Sequence, residues 1–217
     1  MQTTDVLVIG AGIVGAACAH ALVQAGLSVR IIDARLGGAT AAGMGHLVVM
    51  DDNPPELALS KSSLDLWHAW APQMDAGCAF TACGTLWLAA NEEELQAAYA
   101  KRATLQAQGV ACEMLDATAL ARAEPALRPG LAGALKVKGD SVVYAPRAAQ
   151  WLLDQAAAHG KVVFEQAEAT QINGHAVTLR DGSQRIAGAI VLASGIQAPQ
   201  LCPGLPLRPK KGHLVIT

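Results

Sequence analysis

"DVLVIGAGIVGAACAHALVQAG", residues 5–26, decides the fold of this chain. An apolar run from Val6 to Ile9 leads into Gly10, Gly12 and Gly15, and a stretch of small residues with little polar character follows. A buried structural element, a membrane anchor and a nucleotide seat are the three readings to separate. The stretch is apolar enough to imitate a membrane span, but Gly10, Gly12, Gly15 and Gly26 punctuate it, and His20 and Gln24 interrupt it. Strand, turn and helix fit that punctuation better. Residues 5–10 read as a short buried strand and 12–25 as a helix that Gly26 closes. "SVRIID", 28–33, reads as a second strand, parallel to the first, which makes a βαβ unit with a right-handed crossover.

Gly10-Ala11-Gly12-Ile13-Val14-Gly15 is a GxGxxG motif, which small-residue helices also produce by chance. Here a strand precedes it, a helix follows it, and Asp33 ends the next strand close to the offset of ~20 residues that a dinucleotide fingerprint requires. Each position has a physical task. Gly10 permits the tight turn. Gly12 has no Cβ, so a pyrophosphate can approach the backbone. Gly15 lets the helix pack closely on the strand. Ile13 and Val14 open the helix, whose free N–H groups and positive dipole end favour phosphate. Asp33 would accept from the adenosine ribose hydroxyls and repel a 2′-phosphate, which disfavours NADP. The alternative is a packed glycine-rich helix with no ligand. The fingerprint leaves NAD and FAD both open.

The chain has 217 residues, 52% hydrophobic and 16% charged, with a net charge of −2. That composition supports a sizeable core and argues against nucleic acid as a partner. Five cysteines without a CxxC pair argue against a disulfide framework or a zinc site and suit idle thiols in a reducing cytoplasm. Six histidines show no metal-ligand spacing, so no metal is expected. No signal peptide and no membrane span are read.

Further along, "GGATAAGMGH", 37–46, reads as a small-residue loop entering a short helix at Thr40. Pro54 and Pro55 open a helix through Trp70. "GTLWLAA", 84–90, is a strand, and Asn91 caps an acidic helix start. Residues 116–127 read as a short helix ending before Pro125, and 132–144 as a strand pair turning near Gly139-Asp140. Pro146 starts a helix to His159. Beyond it, "KVVFEQAEATQI", "HAVTLRDGSQRIAG" and "AIVLASG" read as strands, with a hairpin at Asp181-Gly182, and a further strand follows "RPKKG". Interrupting a βαβ unit with long helices and then returning to a buried strand at 189–195 suits flavoproteins of the glutathione-reductase architecture more than a regular NAD domain.

Taken together, these stretches resemble the N-terminal part of the D-amino-acid-oxidase-like flavoprotein family, which includes glycine oxidase, sarcosine oxidase and D-amino-acid dehydrogenases. The resemblance rests on the fingerprint with Asp33, where the family more often has Glu, and on "GATAAGMGHL", 38–47, like the family's loop beside the flavin. It rests also on "GDSVVYAPRAAQWLLDQAAAHG", 139–160, in which Gly139 and Asp140 reverse the family order. The fourth match is "IVLASGIQAPQL" followed by "LPLRPKKGHLVIT", where Lys211 and His213 replace the usual Arg and Gln.

The resemblance implies an α/β fold. A Rossmann-like FAD-binding domain of glutathione-reductase type would comprise residues 1–84 and 139–202, and part of an α+β substrate domain residues 85–138 and 203–217. It implies noncovalent FAD in extended form, with Gly10, Gly12, Ile13, Val14 and Gly15 at the pyrophosphate and Asp33 and Ala34 at the ribose. Thr40, Ala41, Ala42, Gly43 and Met44 would run beside the flavin, the Ala169 backbone would pair with adenine, and Ala193, Ser194 and Gly195 would pass the pyrophosphate. His46 is a candidate substrate-side group, against the commoner role of a lone histidine as a hydrogen-bonded structural residue. Met50-Asp51-Asp52 reads equally as a solvated approach to a helix, and Lys210 and Lys211 as a surface pair or an attraction for an anionic substrate.

The implied reaction is oxidation of the C–N bond of a small amino acid or secondary amine by hydride transfer to flavin N5. "GATAAGMGHLVVMDDNP", 38–54, resembles the hydroxyproline-dehydrogenase type, which implies a D-amino acid or cyclic amine as substrate and a partner subunit or carrier as electron acceptor. The family's usual carboxylate-binding residues and its flavin-covering glycine-rich loop lie in later sequence, so the 217 residues read as a fragment or one part of a larger assembly. The competing classes are a non-catalytic FAD-binding subunit and an NAD-dependent dehydrogenase.

Overall fold

A computed structural model of the chain describes residues 4–49 and 53–210. In chain order its first half contains β1 (Thr4–Ile9), α1 (Ile13–Gln24), β2 (Val29–Asp33), α2 (Ala39–Ala42), β3 (His46–Leu47), α3 (Pro54–Trp70), β4 (Thr85–Ala89) and α4 (Glu92–Ala107). Then come β5 (Cys112–Asp116), α5 (Ala117–Ala123), β6 (Gly133–Val137), β7 (Ser141–Val142), α6 (Ala145–Ala158) and β8 (Val162–Gln166). The last elements are β9 (Ala169–Asn173), β10 (Ala176–Leu179), β11 (Gln184–Leu192) and α7 (Ala198–Leu201). They fall into two units, one from residues 4–44 and 144–210, the other from 45–49 and 53–143.

The first unit is built on a six-stranded sheet of order β8-β2-β1-β11-β10-β9. The β8, β2, β1 and β11 strands are parallel, while β10 and β9 form an antiparallel meander with the start of β11. The apolar runs of β1 and β2 are buried on both faces, as parallel strands require. Val6, Val8, Val29 and Ile31 pack against Ala19 and Val23 of α1 and Ala156 of α6. On the other face, Leu7, Ile9 and Ile32 pack against Val177, Leu179 and Ala187 of the meander. Alternate residues thus serve two cores.

The first helix ends as its sequence implies, with Gly26 at φ 87° just past the C-cap Ala25. Residues 184–192, which read as two strands, form one, β11. Its central Gly188 is required there, because a Cβ would lie 2.9 Å from the Asp5 carbonyl oxygen on β1.

A charge clamp ties three strands of this sheet. Glu165 on β8 accepts from Arg30 Nη1 of β2 at 2.9 Å and from Arg185 Nε and Nη2 of β11 at 2.9 and 2.5 Å. The Arg185 hydrogen bonds, with Arg30 assisting and partial burial opposing, hold the Glu165 carboxyl below its ordinary value. A depressed folded-state pKa means that the clamp stabilises above about pH 4.5 and that its contribution is lost as pH falls through the lower folded value. Glu165→Gln should therefore lower stability by roughly 1–3 kcal/mol at neutral pH. Thermal melts from neutral to acid pH check this: the gap to the parent should close in acid, and a gap constant with pH would exclude the ionised clamp.

The second unit holds a three-stranded antiparallel sheet, β4-β6-β5, and the short pair β3-β7. Its core joins Leu57 and Leu64 of α3, Ala98 and Leu105 of α4, and Leu135 and Val137 of β6. The helix at Pro54–Trp70 follows the proline signal. Asn91 caps α4 by accepting from the Glu94 N–H at 2.9 Å, and Glu94 returns a bond to the Ala90 N–H at 2.7 Å, a variant of the capping box.

Two expectations are corrected here. Residues 133–142 are not a hairpin: β6 pairs with β4 and β5, and β7 with β3. Buried Asp140 redirects the chain, accepting from Val49 N–H on its carboxylate at 3.1 Å and from Gly84 N–H on its carbonyl at 2.9 Å. Burial pushes its carboxyl above the usual range, against hydrogen bonds from the Thr85 hydroxyl and Val49 N–H. The unit boundaries also fall elsewhere. Residues 45–84 and 139–143 group with the second unit because β3 and β7 pair, Thr81 bridges to Val142, and α3 packs on β6. Residues 203–210 group with the first.

Candidate functional site

At the carboxyl ends of β1, β2 and β11, the three glycines of the fingerprint do different work. Gly10, at φ 102°, turns the chain where a side chain has no room: a Cβ would meet the Ala193 carbonyl oxygen at 2.4 Å. Gly15 is buried in α1, and a Cβ there would lie 1.9 Å from the Gly10 carbonyl oxygen and 3.3 Å from Ala193 Cβ. Gly12 is the N-cap of α1, in extended backbone that any residue adopts, and supplies no side-chain bond to the first-turn donors. A Cβ on it would touch only Thr40 Oγ1, at 3.1 Å. Two glycines thus hold the fold, and the third keeps the helix mouth open.

Thr40 belongs to that mouth. Its Oγ1 accepts from the Ile13 N–H at 2.9 Å. Val14, the next residue, is exposed. Gly12, Thr40 and Ala41 line one groove together with Ala11, Asp33 and Gly38. α2 has no buried residue, and Met44 is exposed beyond it. A side chain on Gly43 would press on the Ala39 carbonyl oxygen at 3.0 Å, so this glycine serves the end of α2.

Asp33 is held by two backbone donors. Its Oδ2 accepts from the Ala11 N–H at 2.7 Å and its Oδ1 from the Arg35 N–H at 2.6 Å. The carboxylate therefore fastens the glycine turn as well as facing the groove. Its remaining lone pairs are aimed by those bonds before any ligand arrives.

A second cleft lies beside it, lined by Gly10, Asp33 and Ala34 from the ends of β1 and β2, by Ala169 of β9, and by Ser194 after β11. Gln197, Gln200 and Leu201 close it. The Ser194 Oγ is buried and has no hydrogen-bond partner. Gly195, at φ 55°, starts the next turn.

The cleft also uses residues the motifs did not mark. Arg35 sits at φ 54°, a conformation uncommon for a side-chain-bearing residue, and its guanidinium lies 5.7 Å from the centre of the Phe164 ring. Gln197 accepts from Gln200 Nε2 at 2.6 Å, an i,i+3 pair that sequence spacing alone could have suggested.

His46 lies in the other unit. It pairs with Val142 in the β3-β7 ladder and borders a groove with Leu59, Ser60, Ser63 and Trp67. Lys210 is exposed. Met50, Asp51, Asp52, Lys211, His213 and the expected strand after "RPKKG" lie outside the described residues. Among the described residues, no group of His, Cys, Asp and Glu could hold a metal ion, no helix is long and apolar enough to cross a membrane, and no disulfide links the cysteines.

A parallel sheet with an antiparallel meander, a glycine-rich turn into a helix and a carboxylate at the end of β2 define a Rossmann-like dinucleotide-binding protein of the flavoprotein kind. The family described as FAD dependent oxidoreductase (DAO) matches residues 5–217, and the chain belongs to it. Glycine oxidase from Geobacillus kaustophilus is 30% identical over 98% of this chain and 61% of that protein. Its crystal structure superposes with a TM-score of 0.82, at 28% identity, over 93% of this chain and 58% of that one. The structure of iminodiacetate oxidase from Chelativorans sp. follows at 27% identity and TM-score 0.79, over 94% and 58%. L-proline dehydrogenase from P. horikoshii shares the fold, with a TM-score of 0.84 at 22% identity over 95% of this chain and 57% of that one. The chain spans less than two thirds of the length of these proteins.

The residues present fit FAD. A Cβ on Gly12 would enter the helix mouth beside Thr40, the Asp33 carboxylate lines the same groove, and the adjoining cleft runs from Asp33 to Ala169.

Proposed function

We propose that this chain is the FAD-binding part of an enzyme that oxidises the C–N bond of a small amino acid or secondary amine. The observation that supports it most is the convergence of the open helix mouth, Asp33, Ala169 and Ser194 in a chain that matches the FAD dependent oxidoreductase family over residues 5–217. When bound, FAD supplies the acceptor for the hydride that leaves the carbon bearing the amine.

The protein's own part is binding and placement. Asp33, fixed through Ala11 and Arg35, accepts the ribose hydroxyls. Gly12 and the start of α1 receive the pyrophosphate, with Thr40 beside them. The Ala169 backbone meets the adenine. Thr40 to Met44 carry the chain past the flavin, and the small side chains of Ala41 and Ala42 with Gly43 leave space for a ring-shaped substrate. His46 is assigned no step. A cyclic D-amino acid as substrate, a carrier or partner subunit as electron acceptor, and a cytoplasmic site of action complete the reading.

The test uses the FAD-loaded protein with D-proline, cis-4-hydroxy-D-proline, glycine and sarcosine, in air and with a dye acceptor. Bleaching of the flavin by the cyclic D-amino acids, with faster turnover on the dye than on oxygen, is the expected result. Preference for glycine or sarcosine with stoichiometric peroxide would move the protein to an oxidase. No bleaching by any amine would leave a non-catalytic binding subunit.

A further inference from the structure

We infer that β8 is a self-pairing edge. Two copies of this chain associate by antiparallel pairing of their β8 strands about a two-fold axis at Val163, which joins two six-stranded sheets into one. β8 ends its sheet, and its ladder is with β2. The Lys161 carbonyl accepts from the Val29 N–H and the Ala167 N–H donates to the Asp33 carbonyl, so the odd-numbered residues spend their backbone groups on β2. The N–H and C=O groups of Val162, Phe164 and Gln166 therefore point outward, as a template for another strand. Val163 and Phe164 on that edge are 50% and 42% exposed.

The edge is complementary to itself. Lys161-Val162-Val163-Phe164-Glu165 runs from a cation through three apolar residues to an anion. With Val163 opposite its own copy, Lys161 meets Glu165 of the second copy and Val162 meets its Phe164, each twice by symmetry. This register also makes Val162 and Phe164 the hydrogen-bonded pairs, as their outward backbone groups require. The charges retain capacity for it. The Glu165 Oε1 that accepts from Arg185 Nη2 can take a second donor, and the Lys161 ammonium that donates to the Gly26 carbonyl at 2.7 Å has two further N–H groups.

An apolar receptor lies beside the edge. Val162 and Phe164 share one face of the strand and line a groove of about 440 Å³ with Ile31 of β2 and Leu153 and Ala157 of α6. Phe164 of the second copy, standing across from Val162, enters that groove at its Val162 end. The opposite edge strand, β9, offers no such code, because Ala169-Thr170-Gln171-Ile172-Asn173 carries no charge to set a register. The pairing is independent of the FAD reading and is expected of the ligand-free protein.

Sedimentation velocity of the reduced, ligand-free chain over roughly 1 to 200 µM, a range suited to a contact smaller than a standard interface, should show monomer passing to dimer. Lys161→Glu should raise the dissociation constant roughly 10-fold, because like charges then face each other twice. Phe164→Pro should abolish the dimer, since it removes an outward N–H and leaves the β2 ladder intact. Melting temperatures of both variants should match the parent; if Phe164→Pro melts early, Lys161→Glu and a cross-link carry the decision. The cross-link is made in a Cys83→Ser, Cys202→Ser background, which removes the exposed native thiols. Val163→Cys should give a covalent dimer under mild oxidation, because opposite residues of a non-hydrogen-bonded pair have Cα atoms about 4.5 Å apart, within disulfide reach. Phe164→Cys should give none, because its counterpart is Val162.

A chain that stays monomeric across the range would overturn the proposal and leave Lys161 as a charge that guards the edge. A dimer that Lys161→Glu does not weaken, or that cross-links through residue 164 and not through 163, would overturn it in favour of another surface or register.

Discussion

Gly15→Val should strongly destabilise the fold. The Cβ alone would sit 1.9 Å from the Gly10 carbonyl oxygen, a backbone atom that cannot rotate away. Moving it means opening α1 from β1, and that contact carries a core containing Val6, Val8, Ala19 and Val23. Gly10 cannot yield either, because its left-handed backbone is pinned under the Ala193 carbonyl. Overpacking of a tight core commonly costs 1–3 kcal/mol, and a clash with fixed backbone at the centre of the sheet should cost on the order of 4 kcal/mol or more. That is a large share of the 5–15 kcal/mol by which domains are stable. Circular dichroism and a urea titration check it: a variant with a cooperative transition close to that of the parent would show that the helix and strand are not in the contact described.

Gly12→Val should do the opposite, leaving the fold and removing the cofactor. Gly12 has extended backbone that valine adopts readily, and its Cβ would meet only the end of the Thr40 side chain. Melting temperature should stay within a few degrees of the parent. FAD affinity should fall by at least about 100-fold, or roughly 2.7 kcal/mol, because the valine methyl groups occupy the space through which a pyrophosphate approaches the helix mouth. Flavin absorbance after reconstitution and desalting is the readout. Full retention of flavin by Gly12→Val would remove this loop from the site. Glycines three residues apart in one motif are thus expected to separate stability from binding.

Much of this was readable in the chain. The βαβ unit, the proline-initiated helices at 54 and 146, the Asn91 cap and the Asp181-Gly182 turn all follow from local chemistry: a missing Cβ, a missing N–H, a side-chain acceptor in reach of an orphan donor. β5 was not readable. "CEMLD" contains no β-branched residue, and it becomes a strand through its pairing with β6. The turn at Gly139-Asp140 looked like a hairpin because short apolar runs flank it. Only the buried carboxylate of Asp140, bonded to Val49 ninety-one residues away in sequence, sends its two arms to different sheets.

The amino-acid sequence by itself determined that a dinucleotide fingerprint opens the chain and which strand ends carry it, because those signals lie within one supersecondary unit and depend on backbone geometry alone. Tertiary structure decided what each marked residue does. Asp33 reached the Ala11 N–H, Thr40 the Ile13 N–H, and Ser194 a buried position without a partner, across separations that no local pattern encodes. It also decided that Gly10 and Gly15 are needed by the fold whether or not a ligand binds, since the atoms that exclude their side chains are the carbonyls of Ala193 and Gly10, and the first of these arrives only when β11 returns beside β1.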